Sequence, residues 1–471
     1  MSYHIAVDIG ASSGRLIVVS VNDKNVFEWK EVHRFSNQFK NNNGFDRWDI
    51  DYLFNEIIKG LKKAKNKGVS NCTLGIDTWA VDYCLIDKDG ELINQPISYR
   101  DDRTIGTMEK VFKEIPREMI YKKTGIQFQN FNTLYQLYVE DRNSLEQTDK
   151  ILLIPDYLTY LLTGKATNEL TNLSTTQLFN VQDNKLDKEL LNLIDISQNK
   201  FPEIIEPGTV IGSLKKELHD ENSLPNCKVI AVGTHDTASA IAGVPATNDR
   251  WAYISSGTWS LLGVENSKPI ISKASLQANY TNEKGVYSTY RFLKNIPGMW
   301  FIQEIARVTN YKYSYVEMAE KAADVEPYQQ IIDLNDSRFV NPDNMITEIQ
   351  EYCAERELII PQTMGELTMC IYSNLSISYA KEIEKLENIT NKNIDQIHIV
   401  GGGANIDLLN QLTANLSNKK VIAGPGEATA IGNIVVQLIA DGHFEDLVEA
   451  RGWLSNQLSL KEYLPLEVTL K

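Results

Sequence analysis

Two strand–turn–strand units, one opening each half of the chain, limit what this sequence can fold into more than any other feature. Near the N-terminus the apolar run Ile5-Ala6-Val7 enters Asp8-Ile9-Gly10-Ala11-Ser12-Ser13-Gly14-Arg15, and Leu16 to Val21 resumes an apolar strand. In the second half Trp251 to Ile254 runs into Ser255-Ser256-Gly257-Thr258, and Trp259 to Val264 follows as a strand. A strand that breaks at small residues and at once resumes as a strand folds back on itself as a hairpin. The repetition predicts a duplicated architecture, although the two segments are too diverged to be a repeat by identity. The length, 471 residues, fits two or more domains. The break Gly243-Val244-Pro245 places the boundary near Ala246, giving domains 1–245 and 246–471. Between the hairpins strands alternate with helices: an amphipathic stripe over Ile50 to Lys65, capped by Asp49 or Asp51, apolar strands at Cys72 to Asp77 and Val81 to Asp87, and a mostly helical stretch from Ile105 to Ile194 broken at Pro116, Gly125, Pro155 and Gly164. Later come a strand Val229 to Val232, a helix Thr237 to Ala242, a long helix Met364 to Leu386, a buried strand Ile397 to Val400, and helices Leu408 to Leu416 and Ala428 to Asp441. The class is α/β.

Charge removes several functions. The 62 acidic and 47 basic residues leave a net charge of −15, a poor balance for a general nucleic-acid or anionic-membrane binder. No apolar run approaches the ~18 residues of a membrane span, and the N-terminus carries no basic-then-apolar leader. The expectation is a soluble, cytoplasmic protein, a monomer or small homo-oligomer. Five cysteines without a CxxC pair give no support to a zinc or dithiol motif. They are expected to be mainly buried thiols, with Cys353 and Cys370 the pair that could conceivably bond.

Five segments carry chemistry. The hairpin Asp8 to Arg15 exposes successive backbone N–H groups in a phosphate-binding concavity. Ser12 and Ser13 add hydroxyls and Arg15 a cation. Asp8 at the strand end is placed to hold Mg²⁺ through water. The alternative is an ordinary Gly-rich turn. Ser255-Ser256-Gly257-Thr258 has the same mechanics, with Thr258 as donor. Gly401-Gly402-Gly403, between a strand and a helix, either admits a flat ring to the backbone or supplies a positive φ. In Gly233-Thr234-His235-Asp236-Thr237, Asp236 suits a general base or a helix cap, and His235 a ligand-binding or a packed histidine. Asp77-Thr78-Trp79-Ala80-Val81-Asp82 offers a Trp to a sugar face, or to the core.

In order, these segments resemble the FGGY carbohydrate-kinase family, which includes glycerol kinase, xylulokinase and rhamnulokinase and belongs to the actin-like ATPase superfamily. The resemblance runs nearly end to end. It also takes in Tyr99-Arg100-Asp101, Asn295-Ile296-Pro297-Gly298-Met299-Trp300 and Glu427-Ala428-Thr429-Ala430-Ile431-Gly432-Asn433. It implies two actin-like (ribonuclease H-like) domains with an ATP cleft between them, and ATP and Mg²⁺ as cofactors. The His-Asp-Thr-Ala-Ser and Asn-Ile-Pro-Gly-Met-Trp runs look specific to the rhamnulokinase branch. They imply phosphorylation of a small-molecule ketose, L-rhamnulose, at its 1-hydroxyl, with L-fuculose or xylulose as alternatives. It further implies that Asp236 is the base, that Trp79, Ala80, His235, Thr237 and Asn295 face the sugar, and that Ala11 to Arg15, that is Ala11, Ser12, Ser13, Gly14 and Arg15, meet the ATP phosphates with Thr258. Gln303 and Gly402 would lie on the nucleotide side. Ala80 departs from the glycine common at that place in the branch, which leaves the exact sugar open. A non-kinase actin-like ATPase is the rival from another class, and Asp236 speaks against it.

Overall fold

The computed structural model describes residues 2–22 and 27–466. Contacts divide the chain into two compact units that are not simply its two halves. The first comprises Met1–Gly243, Glu265–Phe292 and Thr429–Arg451, and the second Val244–Val264, Leu293–Ala428 and Gly452–Lys471.

In the first unit β1 (Ser2–Ile9) and β2 (Ser13–Val21) form the expected hairpin, and β3 (Phe27–Ser36) extends it antiparallel. Helix α1 (Ile50–Asn66) buries Leu53, Ile57, Leu61 and Ala64 along one stripe, and Asp49 caps it by accepting from the Tyr52 N–H. Strand β4 (Asn71–Thr78) returns parallel to β1, as a crossover through a helix requires, and brings Asp77 level with Asp8. With β5 (Val210–Ser213) and β6 (Asn226–Ile230) the sheet order is β5-β6-β4-β1-β2-β3. Its central strands are buried along most of their length, as strands covered on both faces must be. Helix α2 (Asp236–Ala242) follows β6.

The strand expected over Val81 to Asp87 is shorter, Tyr83–Ile86. Val81 takes a φ of 68°, a left-handed conformation that a β-branched residue rarely adopts, so the chain turns there instead of extending. The stretch from 105 to 194 is mostly helical as expected, in short helices interleaved with two- to four-residue strands. Gly125 and Gly164 stop helices at φ 65° and 75°, whereas Pro116 and Pro155 stand at helix starts, where a missing N–H costs nothing.

The second unit repeats the opening of the first. Strand β7 (Trp251–Ser256) turns through Gly257 and Thr258 into β8 (Trp259–Asn266). The chain passes through the first unit again in β9 (Thr281–Lys284) and the start of β10 (Tyr290–Pro297). After α3 (Trp300–Val308) and the long α4 (Met364–Thr390), β11 (Gln396–Val400) pairs parallel with β7 as β4 does with β1. Helix α5 (Asp407–Ser417) leads to β12 (Lys420–Ala423), parallel to β11. Helix α6 (Ala428–Ala440) then rejoins the first unit from Thr429 onward. Its glycine explains the fit: a Cβ on Gly432 would stand 1.7 Å from the Ser239 carbonyl oxygen of α2.

All five cysteines are buried free thiols. Gln330 reaches both Cys353 and Cys370 with its side-chain amide, at 3.7 and 4.0 Å. Among the described residues, no helix is long and apolar enough to cross a membrane.

Candidate active site

The carboxyl ends of β1, β4 and β6 converge in the first unit, as strand ends of an open α/β sheet do around a ligand. Asp8 and Asp77 are register partners there, and Asp236 opens α2 just beyond β6. Asp236 does not cap that helix. His235 occupies the cap position without a side-chain cap bond, and Asp236 is the first helical residue. Its carboxylate accepts a short-range bond from the Thr237 hydroxyl, 3.1 Å, and keeps 32% of its side chain exposed. Burial pushes the Asp236 carboxyl above the usual range, the charge of Asp8 adds to that, and His235 and Thr237 oppose it. Burial also pushes Asp77 well up, reinforced by Asp8 and Asp236.

Sequence reasoning placed Asp8 and Arg15 in separate roles, and the hairpin register brings them opposite each other. Arg15 Nε and Nη2 both donate to Asp8 Oδ2, at 3.0 and 2.7 Å. The turn itself is tightly tied. The Gly10 N–H donates to the Ser13 carbonyl, Asn37 donates to the Gly10 carbonyl, and the Ser12 carbonyl accepts from the Asn37 N–H, each at 2.9 Å. Gly14 is glycine because the Phe35 ring lies 2.2 Å from where a Cβ would stand. Ser12 and Ser13 stay exposed, and Ala11 is half-buried.

His235 is held by groups that the sequence did not single out. Arg291 on β10 is fully buried, and its Nη2 lies 3.0 Å from His235 Nδ1 and 3.0 Å from Glu283 Oε2 on β9. A guanidinium only donates, so Nδ1 accepts and the ring proton resides on Nε2. That nitrogen faces Asp236 Oδ1 at 3.4 Å. Burial raises the Glu283 carboxyl, but Arg291 and His235 outweigh it and hold it below its ordinary range. The loop before His235 is tied to Glu169, whose Oε2 accepts from the Thr234 N–H at 3.0 Å and the Thr234 hydroxyl at 2.7 Å. An arginine and glutamates inside apolar strand patterns were the only sequence signal of this support.

Trp79 is 5% exposed and packs on Trp48, ring centroids 4.4 Å apart. Both indoles donate to Asp82 Oδ2, at 2.9 and 2.7 Å, so the Trp79 ring is fixed within the core of the first unit. Ala80 beside it is half-buried. The strained Val81 that follows is pinned by the Thr133 hydroxyl, which donates to its carbonyl at 2.6 Å.

In the second unit the Thr258 hydroxyl donates to Gln303 Oε1 on α3, 3.1 Å, which joins two residues expected at the nucleotide. The segment after Asn295 docks on the same hairpin: the Met299 N–H donates to the Gly257 carbonyl at 2.9 Å and the Trp300 N–H to the Thr258 carbonyl at 3.1 Å. Asn295 itself is half-buried on β10. The three glycines after β11 divide by role. Gly401 takes φ 80°, a Cβ on Gly403 would meet the Ser256 hydroxyl at 2.1 Å, and only Gly402 has open space, its nearest neighbour 3.9 Å away. A flat ring can therefore approach at Gly402 and not at Gly403.

Comparison with known proteins shows the family of the chain. The N-terminal domain of the FGGY family of carbohydrate kinases matches residues 3–243, and the C-terminal domain of that family matches residues 252–440. A protein named rhamnulokinase from Bacillus subtilis is 52% identical over 99% of this chain and 96% of its own length, and one from Lactiplantibacillus plantarum is 51% identical over 99% and 95%. Among solved structures, a ligand-bound xylulose kinase from Lactobacillus acidophilus shares the fold with a TM-score of 0.79 at 17% identity, covering 99% of this chain and 94% of that one. A Plasmodium falciparum glycerol kinase with ADP does so at 0.78 and 15%, over 99% and 94%. The chain belongs to the FGGY family of carbohydrate kinases.

Proposed function

We propose that this chain transfers the γ-phosphoryl group of ATP to the 1-hydroxyl of L-rhamnulose, giving L-rhamnulose 1-phosphate and ADP, in the cytoplasm. The observation that carries the chemistry is Asp236: a carboxylate at a strand end, not spent on capping its helix, with a histidine N–H aimed at it. The choice of sugar is supported by the end-to-end identity to proteins named rhamnulokinase.

Phosphoryl transfer needs positioning, charge neutralisation and a base for the attacking hydroxyl. Asp236 takes the proton of the sugar's 1-hydroxyl as its oxygen bonds to phosphorus and the bond to ADP breaks. Burial raises the carboxyl, which strengthens Asp236 as a base. His235 donates through Nε2 and orients both Asp236 and the sugar, with Trp79 and Ala80 shaping the wall and Thr237 and Asn295 as further sugar contacts. The Ala11 to Arg15 hairpin and Thr258 donate to phosphate oxygens, with Gln303 and Gly402 on the nucleotide side. The residues fit Mg²⁺: three carboxylates crowd the site, and Asp77 Oδ1 is buried without a hydrogen-bond partner among the described residues. Asp8, with Asp77 behind it, would hold the ion through water, and the ion would neutralise charge on the phosphates.

The test is a panel of ketoses and polyols in an ADP-coupled assay. L-Rhamnulose should give the highest kcat/KM. Preference for L-fuculose or xylulose would overturn the sugar assignment, and Ala80→Gly would then show whether the added methyl sets the choice.

A further inference from the structure

A buried chain of hydrogen bonds leaves the active-site carboxylates and ends at a second cluster of ligating side chains. Asn433 on α6 donates from Nδ2 to Asp77 Oδ2 at 2.5 Å and to the Gly75 carbonyl at 3.2 Å. Gln437, one turn on, donates from Nε2 to Asn433 Oδ1 at 2.6 Å and to the Ile5 carbonyl at 2.9 Å. The two carbonyls fix both amides, since an amide oxygen could not face either. Gln437 Oε1 is therefore an acceptor, and the Thr73 hydroxyl donates to it at 2.5 Å. That hydroxyl has no second proton, so its oxygen accepts from His4 Nδ1–H at 2.6 Å. The chain thereby sets the His4 tautomer: Nδ1 carries the proton and Nε2 presents a lone pair.

His4 is fully buried, and its Nε2 looks toward two more ligand types. The Ser2 hydroxyl lies 3.0 Å from His4 Nε2 and 3.3 Å from His443 Nε2, between the two rings. Ligand atoms of His4, Asp441 and His443 all lie within 4.8 Å of one another. Metal-bound histidines characteristically donate their other ring N–H to a fixed acceptor, which orients the ring and raises its basicity. His4 has that arrangement built in, in a buried position.

We propose that His4, Asp441 and His443 form a binding site for a divalent transition metal of the zinc class, separate from the phosphoryl-transfer site. Two imidazole nitrogens and one carboxylate oxygen are the three protein ligands, and a water or the Ser2 hydroxyl completes a tetrahedron at the ~2.0–2.2 Å bonds zinc prefers. Imidazole nitrogen selects such an ion over Mg²⁺, which takes oxygen ligands. The metal displaces the Ser2 hydroxyl from between the rings and the Nε2 proton of His443, which moves to Nδ1. It also competes with Lys228, whose ammonium contacts Asp441 Oδ1 and whose partly exposed side chain can turn to solvent.

The test is titration of the full chain with Zn²⁺ against a chromophoric chelator in saturating Mg²⁺ without nucleotide, repeated with Co²⁺ to record visible ligand-field absorption. The wild type should take up one Zn²⁺ equivalent and show a tetrahedral Co²⁺ spectrum. His443→Ala and, independently, Asp441→Asn should lose both while retaining kinase activity in Mg²⁺. Thr73→Val should weaken Zn²⁺ binding ~10–100-fold, the range for losing a group that orients a ligand, with Thr73→Ser restoring it. Lys228→Ala should tighten binding. Absence of stoichiometric Zn²⁺ uptake by the wild type, or equal uptake by His443→Ala and Asp441→Asn, would overturn the site.

Discussion

Replacing Arg291 by methionine separates stability from catalysis in this site. The guanidinium is fully buried, lies 3.0 Å from Glu283 Oε2, donates through Nε to the Lys284 carbonyl at 3.1 Å, and holds His235 Nδ1 at 3.0 Å. Methionine fills much of the volume but leaves the Glu283 carboxylate buried without its counter-charge. Breaking a buried pair from one side typically costs ~3–5 kcal/mol, a large part of the ~5–15 kcal/mol that holds a domain folded. Adding Glu283→Leu removes the uncompensated charge, so the double variant should recover most of that loss. It should not recover activity, because neither variant supplies a donor to His235 Nδ1. The imidazole can then carry its proton on either nitrogen, and its donation toward Asp236 is no longer fixed. Urea unfolding midpoints measure the first effect and kcat/KM for L-rhamnulose the second. A loss below ~1 kcal/mol in Arg291→Met, or a double variant no more stable than the single one, would refute the ion-pair reasoning. Full kcat/KM in the double variant would refute the tautomer reasoning.

Asp236→Asn should lower kcat by ~10²–10⁴, the usual worth of a general base, while L-rhamnulose binding stays measurable by calorimetry. The base must be ionised to act and its carboxyl is raised, so activity should fall on acidification at a pH above the ordinary carboxylate value. In His235→Leu the opposing influence is gone, and that acid limb of kcat/KM should move to still higher pH. Thr258→Ala should raise KM for ATP about tenfold or more with little change in KM for the sugar, since a hydrogen bond to a charged group is worth ~1.5–3 kcal/mol, measured by initial rates. Gly432→Ala should destabilise the fold by at least ~1–3 kcal/mol, the cost of overpacking, because its Cβ would stand 1.7 Å from the Ser239 carbonyl; thermal unfolding checks this.

The sequence by itself determined what rests on neighbouring residues. Periodicity and small-residue breaks carry the two hairpins, the helix capped by Asp49 and the strand before Gly401, because a hairpin or an amphipathic stripe is encoded within a dozen positions. Asp236 was legible for the same reason: it stands in a run of side chains whose chemistry is local. Tertiary structure alone decided who meets whom across the chain. Asp8 and Arg15 became partners through strand register, and Trp79 was drawn to Asp82 and Trp48. Glu283 and Arg291 reached His235 from β9 and β10. Asn433 came to Asp77 from 356 residues away. Buried polar groups must find partners once water is excluded. Which partners they find depends on which strands and helices lie side by side, and that information is spread over the whole chain rather than held at any one site.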